Sequence, residues 1–218
     1  ELYLNPNFRL IYNGRAYARD TAENSFTKTV EEMLKPEYGS VKLIDTNGDG
    51  LYDLISVKSY EVVVLASIDV DNYVVYGDSK YTNKIINLKG AEDNMIIKNS
   101  AGSIFDFDSF DKGDVLSIAE SADGEYVEIM YSNEKVEGTF GATDGETIWI
   151  GETEYVLTTD FKAYMAGLSG GNIIAPGSYG IFYLTFDNRI AYFADSTEKS
   201  IKVGMLGNIH CRSVMDDE

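Results

Sequence analysis

Asn47-Gly48 and Asp49-Gly50 stand side by side between two β-type runs, Val41 to Ile44 and Leu54 to Val57. Asn-Gly and Asp-Gly supply the positive-φ residues that tight turns demand, and β-branched apolar flanks favour extended chain. The segment is therefore read as a hairpin, and the same punctuation recurs along the sequence. Gly accounts for 20 of the 218 residues and Tyr for 16, with only three Pro, a balance that suits turn-rich, aromatic-faced sheets.

The hairpin loop also carries chemistry. Asp45, Asn47, Asp49 and Asp53 occupy positions 1, 3, 5 and 9 of an oxygen-rich loop, with Gly50 at the sharp turn and the Leu51 carbonyl available at position 7. Calcium takes six to eight oxygens at roughly 2.3–2.6 Å, so a short loop must fold several carboxylates and carbonyls inward together. An EF-hand would need flanking helices and a Glu at position 12, which here is Ser56. The pattern resembles the calcium-binding hairpin loops of integrin-type propeller blades over nine residues. Two readings stand: a plain hairpin turn, or a calcium site in which flexible oxygen ligands favour calcium over magnesium.

Charge and length bound the remaining classes. A net charge of −18 repels phosphates and anionic membrane surfaces, which argues against nucleic acid as a partner. Hydrophobic content of 44% is that of a globular chain. The longest apolar stretch, Val62 to Ala66, falls far short of the ~20 residues of a membrane-spanning helix, so no membrane insertion is expected. The sequence begins at Glu1 without a signal peptide, as a mature or trimmed segment would. Cys211 is the single cysteine, which precludes an internal disulfide.

Read along the chain, strands dominate. Phe8 to Tyr12, the turn Asn13-Gly14, and Arg15 to Ala18 form an opening hairpin, and Leu54 to Ser67 reads as one long β run. One segment argues for helix: Thr29 and Glu32 make a capping box, Val30, Met33 and Leu34 share a face, and Pro36 and Gly39 end it. Phe105, Phe107 and Phe110, interleaved with Asp106, Asp108 and Asp111, read as apolar anchors of a polar connection. NGDGLYDLISV, SADGEYVEIMY and GSYGIFYLTF repeat a Gly-aromatic turn before an alternating strand at roughly 70-residue spacing. The expected fold is all-β, with two to three small barrel- or sandwich-like units in series and one short helix in the first. The expected division is 1–67, 68–135 and 136–218, the last ending in an irregular tail.

IYNGRAY, GSVKLIDTNGDGLYDLISV, and FDKGDVLSIAESADG followed by VEGTF and IWIGETEYVL resemble the β-rich modules of Firmicutes cell-surface proteins that carry S-layer homology repeats. The resemblance implies a non-catalytic structural or adhesive module displayed outside the cell, at the wall or surface. Its partners would be a cell-wall polymer, a glycan or a surface protein.

Catalytic constellations are sparse. His210, the single histidine, adjoins Cys211 and Arg212, and adjacent side chains in extended chain point apart, so a Cys-His nucleophile is disfavoured. Gly167 to Gly180 lacks the Gly-Lys-Ser/Thr ending of a phosphate loop. Asp106, Asp108, Asp111 and Asp114 could form a glycosidase pair or second cation site, although a solvated face is the commoner fate of such a run. The competing class is a carbohydrate-binding module or carbohydrate-active enzyme, marked by Trp149 or tyrosines exposed in a groove, or by two carboxylates facing one another. Trp149, between Ile148 and Ile150, is expected to pack in the core.

Overall fold

The computed structural model describes residues 3–17, 29–167 and 174–195. It is all-β, with fifteen strands in three open sheets and two short α-helices among the described residues. None of the three sheets closes into a barrel, so the architecture is sandwich-like. Two compact units divide between Asn133 and Glu134, with Thr185–Asp187 grouped with the first.

The first unit begins with a four-stranded sheet. β1 (Leu4–Tyr12) turns at Asn13-Gly14 into β2 (Arg15–Tyr17), as the Asn-Gly dipeptide predicts. α1 (Val30–Met33) carries the capping box: Thr29 Oγ1 accepts from Glu32 N–H, and the Glu32 carboxylate accepts from Thr29 N–H. β3 (Gly39–Ile44) and β4 (Tyr52–Ser59) form the acidic hairpin. β1 pairs with β4 in parallel, giving the order β2-β1-β4-β3. Leu10, Tyr12, Met33, Ile55 and Val57 close a small core on one face. Gly39 is obligatory: its φ is +143°, and a Cβ there would meet the Lys58 carbonyl oxygen at 1.9 Å.

The run from Leu54 to Ser67 is not one strand. It breaks at Tyr60, and β5 (Glu61–Asp69) joins a second sheet. That sheet comprises β5, β6 (Val74–Gly77), β7 (Ile85–Asn87), β8 (Met95–Lys98), β9 (Val115–Glu120) and β10 (Val127–Ser132), in the order β7-β6-β5-β9-β10-β8. β8 and β10 run parallel and β5 pairs with β9, so two neighbour pairs of this six-stranded sheet are not consecutive in the chain. Alternation was legible locally, but pairing across the sheet is a non-local choice. Val63, Leu65, Val75, Leu116, Ile118 and Ile129 build its core. Phe107 is buried in that core and Phe105 and Phe110 pack against it, which is the anchoring role expected of them.

Two polar devices join these sheets. The Asn13 amide is 2% exposed and fully used: Nδ2 donates to the carbonyls of Ser59 (3.0 Å) and Glu120 (2.7 Å), while Oδ1 accepts from Ser59 N–H (2.7 Å). The Glu128 carboxylate on β10 gathers Tyr60 Oη (2.9 Å), Lys58 Nζ (3.1 Å) and Lys98 Nζ (3.4 Å). Burial works against its charge, but the Tyr60 hydroxyl and the two ammonium groups outweigh burial and hold the carboxyl below its ordinary range. A buried polar group without partners would cost about 1–3 kcal/mol, and here the Asn13 amide and the Glu128 carboxylate oxygens all have partners.

The second unit is a five-stranded sheet, β13-β12-β11-β14-β15. Its strands are β11 (Lys135–Thr143), β12 (Thr147–Ile150), β13 (Thr153–Val156), β14 (Tyr179–Leu184) and β15 (Ile190–Asp195). Between β13 and β14 lies a second helix, α2 (Thr159–Met165), which the strand reading passed over. Its signals are local: Thr158 Oγ1 accepts from Phe161 N–H, and Phe161 and Tyr164, three residues apart, bury the same face. Phe140, Ile148, Leu157, Phe161, Phe182 and Ile190 form the core.

Candidate functional site

The acidic loop folds around its own amides. Asp45 Oδ1 accepts from Gly48 N–H (2.7 Å) and Asn47 N–H (3.2 Å), and its Oδ2 accepts from Gly50 N–H (2.9 Å). Asn47 Oδ1 accepts from Asp49 N–H (2.9 Å), and Asp49 Oδ1 accepts from Leu51 N–H (2.8 Å). Asn47 Nδ2 also donates to Asp49 Oδ2 (3.0 Å). Asp45, Asn47 and Asp49 are thus brought together. Asp53 stands on β4, where Oδ2 accepts from the Thr46 N–H (3.0 Å) and hydroxyl (2.9 Å) and Oδ1 accepts from Asn5 Nδ2 (2.9 Å).

Those bonds set the electrostatics. The amides of Gly50 and Gly48 lower the Asp45 pKa from its ordinary value, and the Thr46 amide and hydroxyl do the same for Asp53, despite partial desolvation and the like charge of Asp45. A carboxylate has about four lone-pair sites, so three N–H bonds on Asp45 leave little capacity for an ion. Among the described residues no three carboxylate, His or Cys side chains converge on one point. Asp45, Asn47 and Asp49 share the loop tip, where their side-chain oxygens accept from its own amides, whereas Asp53 is engaged at the base of the hairpin.

The other sequence candidates disperse. Asp114 Oδ2 accepts from Asp111 N–H at 2.9 Å and Asp106 N–H donates to Ser109 Oγ at 3.2 Å, which are turn contacts rather than a facing pair. Burial raises the Asp114 pKa, and burial followed by the Asp114 charge raises that of Tyr131. His210, Cys211 and Arg212 lie outside the described residues, as does part of the Gly167 to Gly180 segment.

Trp149 is not in the core. Ile148 and Ile150 turn inward, and Trp149 faces solvent with 41% of its surface exposed. Strand alternation allowed either assignment of faces, and the two isoleucines took the buried one. Val156 and Tyr179, 43% and 49% exposed, stand on the same outward face. The registers Trp149↔Glu154, Thr147↔Val156 and Thr139↔Tyr179 fix this. A Cβ on Gly141 would sit 3.7 Å from that of Trp149, so β11 contributes only small residues between the two aromatic side chains.

One site was invisible in the sequence. Where the first two sheets meet, Tyr12, Tyr60, Ile86, Ile118, Glu61 and Glu120 line a cavity of about 330 Å³. Burial, then the charge of Glu61, raises the Glu120 pKa. These residues come from four separate segments, and only β5–β9 pairing puts the carboxylates together. No protein-family model matches the chain, and searches of curated proteins and of solved structures likewise return no match.

Proposed function

We propose that this chain is a non-catalytic structural or adhesive module of a bacterial cell surface, related in kind to the β-rich modules of Firmicutes proteins with S-layer homology repeats. The carrying observation is the buried Asn13 amide, which ties β4 and β9 through three part-buried hydrogen bonds and so links the first two sheets. Stiffness between successive sheets is what a displayed spacer or adhesin requires. Calcium at Asp45, Asn47 and Asp49 would reinforce a hairpin whose amides already hold it closed, with the Leu51 carbonyl and Asp53 at the edge of the set. The partner class is a wall polymer, glycan or surface protein. Cosedimentation with purified wall sacculi, alongside protease shaving of intact cells, tests the reading. Retention on sacculi and loss on shaving are expected; a protein confined to the cytoplasm would overturn it.

A specific observation favours a second reading, a carbohydrate-binding module. Trp149 and Tyr179 flank small residues on an open sheet face, and aromatic planes of this kind stack on sugar rings. Affinity electrophoresis in neutral polysaccharide gels would show retardation that Trp149→Ala abolishes without a change in melting temperature. Equal mobility of both proteins in every gel would remove it.

A further inference from the structure

We propose that the cavity between the first two sheets binds an organic ammonium group carried on an apolar stem. Glu120 ends β9 and Glu61 begins β5. The register Glu61↔Ile118 places Glu61 and Glu120 on one face as diagonal cross-strand neighbours, backbone positions about 7–8 Å apart at that spacing. Glu61 has a counter-ion, Lys84 Nζ at 3.6 Å. Asp123, also at the rim, is engaged by Ser121 Oγ at 2.5 Å and by Arg15 at 3.9 Å. Glu120 has neither a hydrogen-bond nor an ion-pair partner for its carboxylate among the described residues, although it is half-buried.

A half-buried carboxylate facing a second one is destabilised until a cation or a proton neutralises it. The rest of the lining chooses among cations. Asp123 is taken up by Ser121 and Arg15, and among the described residues no three carboxylate, His or Cys side chains converge to hold a metal, so a hard ion that needs six to eight oxygen ligands is poorly served, while Ile86 and Ile118 add hydrocarbon to the lining. An alkylammonium ion suits both halves, its charged head between Glu120 and Glu61 and its methylenes on the isoleucines. The volume matches the small end of ligand pockets, about 300–1,000 Å³. The natural source is a free amine or the lysine side chain of a partner protein.

Titration calorimetry at neutral pH separates the cases, with 1,5-diaminopentane and Nα-acetyl-lysine methylamide as probes and pentanol and calcium chloride as controls. Both amines, or one of them, should bind more tightly than pentanol. Binding of the diamine alone assigns a free amine, and binding of the lysine amide assigns a protein side chain. Glu120→Gln keeps the shape and removes repulsion, so it should fold and bind about tenfold more weakly, the loss of one charge contact of ~1.4 kcal/mol. Glu61→Gln, which removes the ion pair with Lys84, serves as the second variant and should weaken binding less. Amine binding no tighter than pentanol, or unchanged in a folded Glu120→Gln protein, would overturn the proposal.

Discussion

Asn13 and Ser59, separated by 46 positions, exchange two hydrogen bonds: Asn13 Nδ2 donates to the Ser59 carbonyl at 3.0 Å and Ser59 N–H donates to Asn13 Oδ1 at 2.7 Å. The turn residue of one hairpin thereby fixes the point where β4 leaves the first sheet. Its second donor bond, to the Glu120 carbonyl, fixes where β9 ends in the next.

Asn13→Ala should destabilise the first unit by about 2–3 kcal/mol, because the Ser59 N–H and Glu120 carbonyl lose their buried partner. Asn13 also has φ +46°, which asparagine tolerates and alanine does not. Asn13→Gly removes the backbone cost and keeps the hydrogen-bond loss, so it should fall between wild type and Asn13→Ala. Urea unfolding of the three proteins checks the order.

Glu120 gives stability an unusual pH slope. Its folded pKa is raised, so the folded state holds its proton more tightly than the unfolded chain. Stability from this group is fully present below the ordinary glutamate pKa and is lost as pH rises through the raised value. Glu120→Gln should therefore raise the melting temperature at neutral pH and leave it unchanged well below the ordinary value of 4.5. Glu128 has the opposite sign: its lowered pKa contributes stability above the ordinary value, which disappears as pH falls through the folded one. Melting curves of wild type, Glu120→Gln and Glu128→Gln across acidic to neutral pH separate the two slopes.

Gly180→Ala should cost the second unit about 1–3 kcal/mol of overpacking, since a Cβ there would lie 2.5 Å from the Ala194 carbonyl oxygen and 2.4 Å from the Phe193 ring. Gly141→Ala, whose nearest contact would be 3.4 Å, should stay within about 0.5 kcal/mol. Thermal unfolding of both variants makes the comparison.

Calcium should stabilise the acidic hairpin modestly. For dissociation constants of about 10⁻⁴–10⁻³ M, ~10 mM calcium contributes about 1.4–2.7 kcal/mol through mass action. The effect should vanish in the Asp45→Ala, Asp49→Ala double variant and be absent with magnesium. Scanning calorimetry of chelator-treated protein reads it directly, and no calcium-dependent shift would reduce the loop to a hairpin turn.

By itself the sequence determined the local grammar. Asn13-Gly14 made the first hairpin, Thr29 and Glu32 capped α1, and the paired Gly turns closed β3 onto β4. Each depends on residues within a few positions of one another, where backbone sterics and capping bonds act alone. Only tertiary structure decided that β1 lies parallel to β4, that the chain changes sheets at Tyr60, that Trp149 rather than its isoleucine neighbours meets solvent, and that Glu61 and Glu120 share a cavity. Those outcomes rest on which strands pair across long loops and which face the core claims. A period of two fixes alternation along a strand, while register with a distant partner fixes which side is buried and which charges become neighbours.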